Sequence, residues 1–309
     1  MPEWSVPVDL RNPGQVFACR GLVEAAEAIV KAGIDSRFEY EGLATNAIFR
    51  LRCDEEIDPV GSVVAFFRDA RAITLIPRDA NAITLIPSGS TLSTAKWNVD
   101  SVICDTPFVS PSRVPSSPAT LPVLLQTASA TLQLDYWADG IQQRGRDNVK
   151  LWAGSGGYPG SALARDALKL IAAFPAAEIA AAVRDPFNVA VPMSSSFRFD
   201  WRRDYVPLEA GFSPNDHVDV TMVGFPLTEL LAAIGLQNAR PARVARRDKL
   251  RYRYGVSTEY LPSTLARVVL GAVDIGFPMR TFQMQLAWPG QENQGARCII
   301  DAREELPSS

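Results

Sequence analysis

A single histidine, His217, is this chain's whole supply of imidazole, the side chain whose ordinary pKa lies nearest neutrality. Cysteine is scarce as well. Cys19, Cys53, Cys104 and Cys298 lie far apart and form no Cys-x-x-Cys pair, whereas structural zinc draws its ligands in close pairs. No metal site is expected, and the thiols read as core or surface residues of a reducing compartment. Long apolar runs are missing too, with none approaching the ~20 residues that span a bilayer. The opening Met-Pro-Glu-Trp-Ser-Val-Pro-Val-Asp lacks a basic segment followed by an apolar one. No secretory leader or membrane contact is therefore expected, and the cytoplasm is the expected location. Ser194 to Ser196 lack the glycines of a nucleophile elbow, and the acidic residues form no recognisable cation-binding arrangement. Acid–base chemistry is left with one candidate, His217 between Asp216 and Asp219. A lone histidine in a turn-rich segment is more commonly a surface or capping residue.

What is present suits a globular protein. The 309 residues are 47% apolar, enough to bury a core without staples. Trp4 to Val8 reads as a strand. A helix follows, with Asn12 as N-cap, Pro13 at its first position and Gly33 as its stop. Residues 68–77 recur at 78–87 with one change, Arg71 to Asn81. That is a tandem duplication rather than an architectural repeat, and a hairpin turning at Pro77 to Asn81 would absorb it. The Pro/Ser-rich stretch 107–122 reads as a loop and a subdivision point in one large domain spanning 1–309. Strand-like 131–137 follows, then a polar hairpin-like segment at 139–148. Helices are expected at 161–173, 176–184, 227–236 and 261–272, and closing strands at 281–288 and 297–301. Irregular interleaving of strands and helices favours α+β.

Three stretches invite a binding role. Gly154, Gly156, Gly157 and Gly160 precede a helix, where free N–H groups attract anions. Their spacing matches neither the P-loop nor the dinucleotide fingerprint, so no cofactor is expected and a structural turn competes with a phosphate clamp. Phe197, Phe199 and Trp201 alternate with Arg198, Asp200 and Arg202, and Arg203 follows. In a strand this puts aromatics on one face and ions on the other. It describes either a stacking platform for single-stranded nucleic acid or a buried aromatic face. Finally, Arg240, Arg243, Arg246, Arg247, Lys249, Arg251 and Arg253 stand against Asp248 alone, in a chain of net charge −3. A basic patch on an acidic protein points to one directed polyanion contact, unless acidic parts of the same chain neutralise it. Tyr252 and Tyr254 are spaced for the opposite strand face, adding stacking beside charge.

Four stretches carry a resemblance: Asn12-Pro13-Gly14-Gln15-Val16-Phe17-Ala18-Cys19-Arg20-Gly21-Leu22; Leu134-Asp135-Tyr136-Trp137; Lys150-Leu151-Trp152-Ala153-Gly154; and Ser196 to Asp200 with Gly211 to Asn215, continued by Glu229 to Gln237. Together they resemble the third Csb-type protein of type I-G (formerly I-U) CRISPR systems, grouped with the RAMP superfamily. The resemblance implies a RAMP-like, ferredoxin/RRM-related sheet with helices and long insertions. It also implies a part in antiviral defence, with guide RNA or other effector subunits as partners. The glycine cluster is central here, whereas the RAMP glycine loop lies near the C-terminus. The expected function is a non-catalytic subunit or accessory protein that contacts guide RNA or effector-complex partners. Two alternatives stay open, a scaffold whose basic patch meets an acidic partner and a guide-RNA endoribonuclease using His217.

Overall fold

The computed structural model describes residues 1–77, 97–104, 121–137, 159–203, 222–287 and 297–305. The fold is α+β. Strand β1 (Glu3–Val8) leads into helix α1 (Pro13–Val30), then β2 (Ile34–Glu39), β3 (Ala47–Cys53) and helix α2 (Pro59–Asp69). Strand β3 lies between β1 and β2 and is antiparallel to both, so β1 and β2 are parallel and joined across α1. This is a split β-α-β unit. Residues of β1 to β3 alternate between buried and outward, the period of a sheet with one covered face.

Helix α1 begins where expected. The Asn12 side chain accepts the Gly14 N–H and Pro13 fills the first turn. It stops short of Gly33: Lys31 takes the left-handed conformation at φ 60° and its N–H reaches the Glu27 carbonyl. A C-terminal cap needs that conformation more than it needs glycine.

The strand after α2 leaves this sheet. Strand β4 (Arg71–Pro77) pairs in parallel with β5 (Asp100–Cys104) and antiparallel with β6 (Val123–Gln126), and β6 pairs with β7 (Thr131–Leu134). The hairpin expected at Pro77 to Asn81 turns outside the described residues. The second copy of the duplication likewise lies outside the described residues, as does nearly all of 107–122. The strand expected at 131–137 ends at Leu134, because Asp135 gives its N–H to the Gln237 side chain at 2.7 Å.

Helices α3 (Gly160–Ala172), α4 (Ala176–Arg184) and α5 (Pro226–Asn238) follow, with a short pair between β8 (Val191–Pro192) and β9 (Val223–Gly224). The last segment holds β10 (Ala242–Arg243), β11 (Arg251–Ser257), β12 (Leu261–Pro262), α6 (Ser263–Leu270), β13 (Met279–Ala287) and β14 (Cys298–Glu305). Strand β12 joins the edge of β2, while β10, β11, β13 and β14 form an antiparallel sheet in that order.

Helix α1 is the centre of the core, buried over most of Pro13 to Ala26. It crosses α5 so closely that a Cβ on Gly21 would stand 1.8 Å from the Leu231 carbonyl oxygen, and one on Gly235 2.1 Å from that of Phe17. Only hydrogen fits at such a crossing. One apolar cluster runs from Val6 to Ala302 through all these layers. Among the described residues no helix is long and apolar enough to cross a membrane.

Candidate nucleic-acid interface

The basic segment folds as a hairpin. Ala242 and Arg243 pair with Arg253 and Tyr252, and residues 244–250 make the loop. Asp248 organises it. Its Oδ1 accepts the N–H groups of Leu250 and Arg251 at 2.9 and 3.0 Å, and its Oδ2 accepts the Arg251 Nε–H. Partial burial raises the Asp248 pKa, but these donors outweigh it and hold the carboxyl below its ordinary value. The Val244 N–H reaches the Arg251 carbonyl, and the Arg243 Nη1 donates to the Arg246 carbonyl at 3.3 Å. On the sheet side the Leu286 N–H bonds the Leu250 carbonyl, and the Arg297 Nη1 bonds that of Lys249. A loop tied at this many points presents its tip with little left to order on binding.

The tip carries Arg246, Arg247 and Lys249, all exposed, with no ion pair among the described residues. Arg251 and Arg253 alternate outward on β11 as the sequence implies. Each meets a carboxylate, Arg251 with Asp248 and Arg253 with Glu305 at 2.7 Å. Internal acids therefore offset part of the patch, but they take only the Nε–H of each guanidinium. Arginine has five N–H donors, so among the described residues the terminal nitrogens remain for a ligand. Arg240 is half-buried near Asp135; burial pulls its pKa down and pushes that of Asp135 up. Arg240 and Arg243 belong to the base of the hairpin, not to its open tip.

Other sequence-based site assignments need correction. Tyr252 and Tyr254 are 1% and 0% exposed. The Tyr254 ring stacks on Phe282 at 5.4 Å and its hydroxyl donates to the Leu10 carbonyl at 2.8 Å. Neither tyrosine can stack on a base, because that face of β11 is buried, with Tyr254 edge-on to Phe17 of α1. Residues 195–200 do not form a strand. Arg198 sits at φ 68°, its N–H on Ser196 Oγ at 2.8 Å. The next N–H groups, of Phe199 and Asp200, go to the buried carboxylate of Glu229 at 3.2 and 3.1 Å instead of to a neighbouring strand. Phe197 and Phe199 are fully buried against Tyr136 and Trp137. The aromatic face is core, which was one of the two readings. Arg202 grips Asp200 through two nitrogens, donates to Asn188 and the Phe187 carbonyl, and lies 3.7 Å over the Phe225 ring. Four of its five N–H donors are engaged inside the protein. Arg203 closes the turn Trp201–Arg203.

Gly160 is a packing glycine. A Cβ there would stand 2.3 Å from the Trp137 ring, so this position serves helix packing rather than a phosphate clamp. Gly154, Gly156, Gly157 and His217 lie outside the described residues.

Sequence reasoning missed two groups. The first is the buried polar junction of Asn12, Asp200 and Glu229. There the amide of Asn12 donates to Asp200 at 2.9 Å while its oxygen caps α1, and Tyr136 is pushed well above its usual pKa by burial and the Glu229 charge. No periodicity announces a contact between residues so distant in the chain. The second is the outward row of β13 and β14, including Gln283 and Arg303. Its signal was available, since Thr281, Gln283 and Gln285 alternate with Phe282, Met284 and Leu286.

No family model, curated protein or solved structure matches the chain.

Proposed function

We propose that this chain is a non-catalytic subunit or accessory protein of a type I-G (formerly I-U) CRISPR system, and that its basic hairpin contacts guide RNA. The observation that carries the RNA contact is the braced tip, where Arg246, Arg247 and Lys249 stand exposed and without an acidic partner among the described residues. The CRISPR assignment rests on the sequence resemblance alone. The described segments behind that resemblance meet in space. Asn12 contacts Asp200, Gly21 lies against Leu231 and Gly235, Tyr136 packs on Phe199, and Gln237 bonds Asp135. The split β-α-β unit with α2 behind it corresponds to the first part of a ferredoxin/RRM-related sheet. The strand after α2 joins another sheet, which sets this chain apart from the simple form of that fold.

A protein partner held through a surface other than the basic patch draws support from a different observation. Leu265 and Val268 on α6, with Val273 and Phe277 after it, are apolar and exposed, a composition suited to a protein partner.

One experiment separates the two. The chain is purified from cells with and without nuclease treatment, and the retained RNA is sequenced. Small CRISPR-derived RNA lost on changing Arg246, Arg247 and Lys249 to glutamate supports the RNA contact. Effector subunits retained after nuclease treatment, with no RNA, favour the protein partner. Recovery of neither overturns the assignment. Three phosphate contacts on a single strand predict a log–log salt slope of about −2, and an affinity indifferent to salt contradicts them.

A further inference from the structure

Beyond the hairpin tip, the same sheet presents a second row of polar side chains in register with it. Arg253 stands opposite Gln283, and Gln283 opposite Arg303. Arg251 stands opposite Gln285, and Gln285 opposite Asp301. Directly opposed residues share a face, and the other face of these strands holds Tyr252, Tyr254, Phe282, Met284 and Ala302, all buried. The outward face is thus polar across β11, β13 and β14, with no aromatic side chain in these two rungs. Arg303 is its most open member, its side chain 82% exposed. Asp301 takes the Arg303 Nε–H at 2.6 Å, so that, as at Arg251 and Arg253, a carboxylate orients the guanidinium without saturating it. The Gln285 amide nitrogen donates to the Leu286 carbonyl at 2.8 Å, which turns its amide oxygen, an acceptor, toward other partners. The face is continuous with the hairpin, since Leu250 is bonded to Leu286 and Lys249 to Arg297, just before β14.

Resting on the RNA reading, we infer that the outward face of β11–β13–β14 is a docking track for the sugar–phosphate backbone of single-stranded RNA, with Arg303, Gln283 and Gln285 as binding residues that extend the hairpin tip. Charge and chemistry select this occupant. Arg246, Arg247, Lys249, Arg251, Arg253 and Arg303 outnumber Asp248, Asp301 and Glu305 two to one, which draws in a polyanion. The guanidinium forks suit phosphate, and the glutamine amides suit the ribose 2′-hydroxyl, the group that separates RNA from DNA. Arg253 and Arg303 stand two strand spacings apart, about 10 Å, room for a strand to lie across the sheet. Without aromatics the track gives bases nothing to stack on, so recognition is indifferent to sequence.

The test measures binding of labelled oligo(U), oligo(A) and DNA oligo(dT) of equal length to the full chain by fluorescence anisotropy at two salt concentrations. The proteins are wild type, a Gln283→Glu/Arg303→Glu variant and an Arg246→Glu/Arg247→Glu/Lys249→Glu variant, each first checked for an unchanged melting temperature. Oligo(U) and oligo(A) bind within about threefold of each other, DNA binds more weakly, and each variant weakens RNA binding on the order of tenfold or more. Arg303→Lys alone keeps most of the affinity, since it keeps the charge. RNA binding lost in the hairpin variant but unchanged in the Gln283→Glu/Arg303→Glu variant overturns the track while leaving the hairpin reading in place. A strong preference for one base, or equal binding of DNA, overturns backbone recognition through the ribose. No RNA binding by the wild type overturns the track together with the reading beneath it.

Discussion

The junction around Glu229 and the hairpin tip around Asp248 use a carboxylate in the same way, as an acceptor for successive backbone N–H groups, yet to opposite ends. Glu229 is fully buried and ties the 196–200 segment to α5, close to where α1 and α5 cross with no side chain between them. Asp248 lies at the surface, and its acceptors hold a loop whose cations face outward. In the first region arginine is consumed: Arg202 directs its donors to Asp200, Asn188 and Phe187. In the second it is presented. Burial decides the difference, because a desolvated guanidinium must be paired, while a solvated one can wait for a ligand.

That comparison can be broken most forcefully at the helix crossing. Gly21→Ala places a methyl 1.8 Å from the Leu231 oxygen and should cost about 3 kcal/mol or more, read as a fall in the urea midpoint. Next is Glu229→Ala, which strands the Phe199 and Asp200 N–H groups in the core and should cost about 1–3 kcal/mol by the same measurement. Glu229→Gln, keeping an acceptor, should cost less. An equal loss in both would mean that the charge and not the acceptor matters.

Tyr254→Phe removes only the hydroxyl bond to Leu10 and should cost about 1 kcal/mol without changing RNA affinity. A loss of RNA binding in a stably folded Tyr254→Phe protein would tie the buried hydroxyl to the ligand. The smallest stability effect belongs to the tip. Changing Arg246, Arg247 and Lys249 to glutamate should move unfolding by less than about 0.5 kcal/mol while abolishing most RNA binding. Asp248→Ala should show the intermediate pattern, a cost of about 0.5–1 kcal/mol with weakened binding. Because the folded Asp248 pKa lies below its ordinary 3.8, its stabilisation is present above that value and is lost as pH falls through the folded pKa. Binding should therefore be insensitive to this group near neutral pH, as a pH series of the anisotropy measurement would show.

Cys298 offers a check on the integrity of the sheet carrying the track. Burial pushes its thiol up to about 11, so alkylation at pH 8 should be on the order of a hundred times slower than for an ordinary thiol. It should accelerate about tenfold per pH unit. Rapid labelling at pH 8 would show β14 opening away from β13.

Much of the fold was legible along the chain. Asn12-Pro13 marked the start of α1, α3 to α6 fall close to the helices expected there, and the Arg/Tyr alternation placed Arg251 and Arg253 outward on a strand. The sequence also located the basic segment, because like charges gathered within a few residues need no tertiary information to be seen. It misassigned the 197–202 segment, because alternation is a local signal and the competing acceptor, Glu229, comes from a distant helix.

Local propensity and charge thus decided which residues form helices, strands and the cationic loop. Tertiary packing alone decided which arginines stay open and which tyrosines are core, since both depend on what lies against them. Gly21 and Gly235 became meaningful only where two helices meet at backbone distance. Gln283 and Arg303 became partners of Arg253 only through strand register, a relation between segments that no single stretch of sequence contains.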